Sequence, residues 1–412
     1  MHAEHLPHAT NDRKIIGLLA LTQVISWGTL YYAFSVLAPD MQRELGWRAE
    51  PLFGAFSWSL LIAGLIATPA GILLDRHGGR PVMGLGSLIA GLGLFLLSQV
   101  QSMGSYFVAW GVIGIAMAMV LYEAAFATIN REFDTGARKG ISTLTLFGGL
   151  ASTVFWPVTL HLNGEVGWRD TYLFYAALHM VLCMPAHLLL SNRGKRLPKA
   201  VAAAGKRSHT LSEAVRHPMF WKLALAFATN AFIFSALSVH LIPLVQRLGH
   251  AAGTAVFFAT LIGPMQVVGR IGEMVFAGRT QPQSVGKITF ALLPTALGTL
   301  VLLGQHEWVV ALFCMLYGLS NGILTIVKGT VPQELFGREN YGAISGALAG
   351  PALVAKAAGP LAMAAMLEGV ETVHHALLIL LAAAIASFLF YLAAVRRPAR
   401  QNSTEAILEE QA

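Results

Sequence analysis

The stretch GILLDRHGGRP, Gly71 to Pro81, puts an Asp-Arg pair, two adjacent glycines and a third charge, Arg80, between two long apolar runs. Only 12% of the 412 residues are charged and 55% are hydrophobic. Soluble domains carry about 25% charged residues, so this chain has half the usual solvating surface. It cannot cover a water-exposed fold of its size, and the bilayer is its natural solvent. A charge cluster in such a chain marks a loop with work to do.

Counting outward from this loop gives twelve apolar runs, at 14–38, 51–74, 81–100, 105–130, 139–161, 170–191, 219–245, 253–277, 285–303, 308–330, 342–366 and 373–395. Each approaches the roughly 20 residues that a helix needs to cross the hydrocarbon layer. None shows the period-two alternation of a barrel strand. The first run is not followed by a small-residue cleavage site, so it reads as a span and not as a signal peptide. The sequence therefore predicts an all-α integral membrane protein of twelve transmembrane helices.

Orientation follows from Lys and Arg. With both termini cytoplasmic, 21 basic residues fall on the inner side, those at the inner ends of runs included, and four (Arg43, Arg48, Arg169, Arg247) on the outer side, with three (Arg270, Lys328, Lys356) deep inside the runs. The net charge of +7 is thus a topology signal spread along one membrane face, and no nucleic-acid partner is expected. Cys183 and Cys314 lie within apolar runs and read as packing residues, with no metal or redox role.

Between the sixth and seventh runs lies a polar segment, Asn192 to Pro218, with seven Lys or Arg. It divides the chain into a tail at 1–13, a six-helix bundle at 14–191, a cytoplasmic linker at 192–218 lying on the lipid headgroups, a second bundle at 219–395 and a tail at 396–412. The halves echo each other. GIAMAMVLYEAAFATINREF in the fourth run and GLSNGILTIVKGTVPQELF in the tenth both pass from glycine through a charge (Glu123, Lys328) to an acid followed by Phe. Parallel six-helix repeats are one architecture of alternating-access transporters.

The quoted loop resembles the signature of the major facilitator superfamily, in which Gly, three residues, Asp-Arg, one residue, Gly, one residue and a basic residue join the second and third helices. Gly71, Asp75, Arg76, Gly78 and Arg80 match it in register. The resemblance covers the whole chain and implies two pseudo-symmetric six-helix bundles. It also implies a cytoplasmic latch. Asp75 would cap the start of the eleventh helix near Tyr341 to Ile344, and Arg76 and Arg80 would meet Glu132 and Asp134. Gly78 and Gly79 would allow a tight turn at positive φ. The second-half counterpart, GRIGEMVFAGR, keeps Glu273 four residues after Gly269 but lacks the Asp-Arg-x-Gly core, so a matching latch there is not expected.

An ionisable group in mid-membrane is costly unless it is paired or wet, which makes each one a functional candidate. Arg270, in GPMQVVGRIGEM, is a permanent cation whose planar fork suits a carboxylate. Glu273, three residues on, either carries a proton or pairs with it. Lys356 sits between two Gly-Pro steps in GPALVAKAAGP, too deep to snorkel, and is expected to face a cavity. Glu123 is a second candidate proton carrier. Lys328 divides evenly between snorkelling and function. Among the aromatics, Tyr31, Tyr32 and Tyr122 are the expected cavity-lining residues, ahead of Trp27, Trp58 and Trp156. His161, His179, His187 and His240 are expected to be satisfied packing residues.

The first helix and its exit, WGTLYYAFSVLAPDMQRELGW, resemble the bacterial monocarboxylate and oxalate/formate branch of the superfamily, which carries a carboxylate-binding arginine in the eighth helix, here Arg270. Its frequent aspartate one turn earlier is replaced by Gln266, so Glu273 or Glu123 would have to carry a proton. The resemblance implies a secondary transporter of a small organic anion, a monocarboxylate, coupled to protons or working by exchange in the bacterial inner membrane as a monomer. The alternative is an exporter of drugs or metalloids. The fifth helix, LTLFGGLASTVFWPVTL, lacks the glycine-proline pattern of drug exporters. No nucleotide-cradling, metal-ligand or nucleophile motif appears, so no enzyme and no cofactor is expected.

Overall fold

The computed structural model describes residues 6–133, 135–191, 208–276, 280–369 and 373–396. All regular elements are helical: α1 (Leu6–Trp27), a π-helical turn (Gly28–Tyr32), α2 (Ala33–Leu45), α3 (Ala49–His77), α4 (Gly79–Ser98), α5 (Met103–Val120), α6 (Tyr122–Glu132), α7 (Ala137–Gly148) and α8 (Ala151–Leu178). A second π-turn (His179–Cys183) and α9 (Met184–Leu188) complete the first half. The second half holds α10 (Leu211–Arg216), α11 (Pro218–Arg247), α12 (Ala252–Ala259), α13 (Ile262–Phe276), α14 (Pro282–Leu303), α15 (Glu307–Phe336), α16 (Tyr341–Gly369) and α17 (Val373–Val395).

Among the described residues, eleven helical stretches are long and apolar enough to cross a membrane. The sequence showed twelve runs. The difference lies at Ala137–Leu188, one stretch of 52 residues that takes in both the fifth and sixth runs. Gly167 interrupts it at φ 78° and ψ 171°, where the chain turns without an intervening loop.

Buried apolar side chains form two clusters. One runs from Ile15 to Leu190 and also takes in Ile326 and Tyr341; the other runs from Ala214 to Val395. Residues 192–207, most of the expected linker, lie outside the described residues, as do 1–5 and 397–412 of the expected tails. The end of the linker is ordered as α10, whose Thr210 and Glu213 form a reciprocal capping box.

Helix α16 packs against both α3 and α11. Small residues make this possible: a Cβ on Gly71 would strike the Gly342 backbone, one on Gly346 the Ala67 backbone, and one on Gly64 would lie 3.1 Å from the Gly350 carbonyl. Close backbone approach through glycines is the usual solution where lipid gives no hydrophobic drive to association. In the loop itself only Gly78 has positive φ, at 85°. Gly79 begins α4, and the reason for its lack of a side chain is Thr128, which a Cβ would overlap.

Candidate functional site

Two irregularities in otherwise long helices build the membrane-centre site. The first is the π-turn Gly28–Tyr32, a wide turn of the kind that often marks functional positions. Trp27, Tyr31 and Tyr32 cluster there, with ring centroids 5.4 Å (Trp27–Tyr31) and 5.2 Å (Tyr31–Tyr32) apart. Trp156, half exposed, adds an edge contact to Tyr32 at 6.0 Å. Trp58 points outward at 39% exposure.

The second irregularity is Leu121, whose extended backbone (φ −81°, ψ −166°) separates α5 from α6. The Gln23 side-chain amide donates to the Val120 carbonyl at this break, at 2.6 Å. Starting a new helix here sets Tyr122 and Glu123 in its first turn. The Tyr122 ring lies 5.1 Å from Trp27 and stacks on Phe126 at 5.3 Å.

Lys356 enters this aromatic cluster from the other half. Its Nζ lies 4.1 Å from the Tyr31 ring centre and 5.7 Å from Trp27, as cation–π contacts require. No ion pair to its ammonium occurs among the described residues. Lys356, Glu123, Trp27, Tyr31 and Leu353 line a common cavity of about 40 Å³, space for a few waters.

Arg270 is 6% exposed, and its Nε and Nη1 have no hydrogen-bond partner among the described residues. Its guanidinium rests where a side chain on Gly149 would sit. Tyr32 and Tyr122 both lie within its electrostatic reach. The aromatic cluster thus spans from one cation to the other, with Arg270 beside Tyr32 and Tyr122 and Lys356 over Tyr31 and Trp27. The arrangement offers two positive groups without anionic partners among the described residues, apolar ring faces between them, and one carboxylate, Glu123.

Glu273 does not join Arg270. Arg138 on α7 donates from Nε (3.0 Å) and Nη2 (2.7 Å) to its Oε1, and Ser142 donates to Oε2 at 2.7 Å. These three donors hold the carboxylate toward α7, and no ion pair between Glu273 and Arg270 occurs among the described residues. The contact also joins the two halves where the sequence led us to expect no counterpart of the Asp75 contact: Glu273 engages the first turns of α7 through side chains, where Asp75 uses backbone amides.

In the quoted loop the Asp75 carboxylate accepts from the amides of Gly342 (2.9 Å) and Ala343 (2.8 Å), capping α16. Arg76 and Arg80, expected to meet Glu132 and Asp134, are instead exposed and form no ion pair with Glu132; Asp134 lies outside the described residues. The Glu132 carboxylate accepts from Ser191. The bridging arginines are ones the sequence reading passed over. Arg131 donates to the carbonyls of Asp75 and Leu74 at the end of α3, and Arg338 to those of Phe133 and Asn130 at the end of α6. The physical logic is a cation at a helix carboxyl end, where the dipole is negative. A basic residue flanking a predicted helix terminus was the available signal.

Three of the four expected packing histidines are held by hydrogen bonds: His179 bonds Thr29 at 2.9 Å, His187 bonds Ser87 at 2.8 Å and Thr22 at 3.0 Å, and His240 bonds the Pro360 carbonyl at 3.0 Å. His161 is exposed. Cys183 and Cys314 are buried and free. No group of three or more metal-ligating side chains occurs among the described residues.

With this geometry in place, residues 19–349 match the sequence profile of the Major Facilitator Superfamily. The chain belongs to that superfamily. It is a multi-pass membrane transporter and not an enzyme. Over 348 residues it is 25% identical to the uncharacterised major facilitator transporter YhjX of Escherichia coli, covering 80% of this chain and 82% of that one. It is 23% identical over 323 residues to monocarboxylate transporter 13 of Rattus norvegicus, covering 76% and 71%. The fold is shared with FucP in its outward conformation (TM-score 0.72, 15% identity, 93% of this chain and 99% of that one). It is also shared with the human organic anion transporter MFSD10 (TM-score 0.69, 18% identity, 92% and 99%).

Proposed function

We propose that this transporter carries a small organic anion, a monocarboxylate, by alternating access. The carrying observation is Arg270: a permanently charged guanidinium, buried, with two nitrogens unsatisfied among the described residues. A buried polar group without partners costs on the order of 1–3 kcal/mol, and more when charged. A cargo carboxylate would remove that cost and take a bidentate geometry. Lys356 and the rings of Tyr31, Tyr32, Tyr122 and Trp27 would enclose the rest of the cargo. The relatives named monocarboxylate transporters support the cargo class.

In this reading the stretch Ala137–Leu188 crosses twice, turning at Gly167, which gives twelve spans with both termini cytoplasmic. Residues 14–191 and 219–395 are the two bundles, and the bacterial inner membrane is the location. The inner face is latched by Asp75 on α16 and by Glu273 on Arg138, and both contacts break when that face opens. Glu123, beside Lys356 in the cavity, carries the coupling proton. Glu273 has its role in the gate. The protein works as a monomer.

The test is uptake of radiolabelled formate, acetate, pyruvate, lactate and oxalate into proteoliposomes under an imposed pH gradient, with Arg270→Ala and Arg270→Lys beside the parent. At least one acid is expected to be carried, with a loss of more than tenfold in both variants. Transport unchanged in Arg270→Ala would sink the role of Arg270; no acid carried by the parent would sink the anion reading.

A further inference from the structure

One membrane-embedded cation is left unused by the site described above. Lys328 on α15 forms no ion pair among the described residues, and its Nζ meets only the Phe227 ring, 6.0 Å away. Its position is fixed by its neighbour. A Cβ on Gly329 would lie 3.0 Å from the Phe126 ring of α6, and the Gly329 carbonyl accepts from the Tyr341 phenol at 2.8 Å. Phe126 is one turn after Glu123 on α6, so α15 crosses the seam between the halves beside Glu123. Glu123 and Lys356 both lie within electrostatic reach of Lys328.

The seam at membrane depth therefore holds one first-half carboxylate, Glu123, against two second-half ammonium groups, Lys328 and Lys356. Among the described residues, Tyr122 on its own helix and Tyr341 on α16 also lie within electrostatic reach of Glu123, with Arg270 near Tyr122 and Asp75 near Tyr341. The adjoining first span contributes Tyr31 and Trp27 to the same cavity.

We propose that Glu123 is the internal counter-ion of Lys328, displaced by the cargo. When an anion arrives, its charge replaces that of Glu123 in the field of the lysines, and Glu123 takes a proton from the water that accompanies the open state. The donor is hydronium: one of its O–H bonds breaks as the carboxyl O–H bond forms, water is left behind, and the seam keeps its net charge because the cargo's negative charge replaces that of Glu123. Lys328 is then the residue through which proton uptake and anion binding are tied. This rests on the anion-carrier reading. Because linkage is reciprocal, an anion that favours protonated Glu123 must bind more tightly as pH falls.

The experiment measures binding of radiolabelled pyruvate, lactate and oxalate to the purified full-length protein in detergent between about pH 5 and about pH 8. In the parent the dissociation constant should rise with pH, by up to about tenfold per unit. Glu123→Gln should bind with the parent's low-pH affinity at every pH. Lys328→Gln should bind more weakly and lose the slope, and Lys328→Arg should restore it. If Lys328→Gln does not fold, the double variant Glu123→Gln with Lys328→Gln removes both charges, and it should bind with no slope. A parental slope in Glu123→Gln, or in any folded variant lacking the Lys328 charge, overturns the proposal. Binding that is tight but flat with pH in the parent overturns it alone, whereas no binding of any acid removes the anion-carrier reading with it.

Discussion

Gly71 on α3 and Gly342 on α16 approach so closely that a methyl group on either would enter the other's backbone. One turn further on, that approach is what brings the Asp75 carboxylate to the amides of Gly342 and Ala343. Gly71→Ala should force the two helices apart. Overpacking of this kind costs about 1–3 kcal/mol, and a lowered melting temperature in detergent would register it. A cysteine placed at the inner seam should become more accessible to a membrane-impermeant thiol reagent in the same variant.

Asp75→Ala removes both acceptors at the start of α16. Loss of a helix amino-terminal cap costs about 1 kcal/mol, up to about 2. Asp75→Asn keeps one acceptor oxygen and should fall between parent and alanine variant. Thermal melts of the three proteins give the order; identical melting temperatures would show that the cap contributes nothing.

The Glu273 side chain is 2% exposed and its partner Arg138 is 22% exposed, which makes this a largely desolvated pair. Removing one member of a buried pair costs about 3–5 kcal/mol because the other charge is left stranded. Glu273→Gln should destabilise toward the lower end of that range, since Arg138 is partly wet and also donates to the Thr280 carbonyl. Adding Arg138→Met should recover part of the loss. A double-mutant cycle with zero coupling would refute the pairing.

Gly149 leaves the space that the Arg270 guanidinium occupies. Gly149→Ala should displace that group while leaving the fold intact. Carboxylate transport in proteoliposomes should drop more than tenfold with little change in melting temperature. Full activity would mean that the position of Arg270 does not matter for cargo.

How much of this was legible beforehand depends on the range of the interaction. Asp75 and its glycines were readable as a motif because the loop is local and each residue has one job: a close approach, a cap, a turn. Arg270, Glu123 and Lys356 stood out because charge is rare in an apolar run. The partners were not readable. Arg76 and Arg80 sit in the motif yet are exposed and form no ion pair with Glu132, and the bridging falls to Arg131 and Arg338, about 60 and more than 200 residues from the carbonyls they hold. Glu273 looked like a neighbour of Arg270, but its side chain turns to a helix 135 residues back.

By itself the sequence determined that the chain lives in a membrane and which charges had to be accounted for, because hydropathy and charge cost act on each segment independently of the rest. Only the tertiary structure decided that the fifth and sixth runs join at Gly167, that the π-turn and the break at Leu121 gather the aromatic rings, and which charge meets which partner. The reason is that an ion pair or a shared cavity depends on the placement of two distant helices, and neither helix encodes that placement alone.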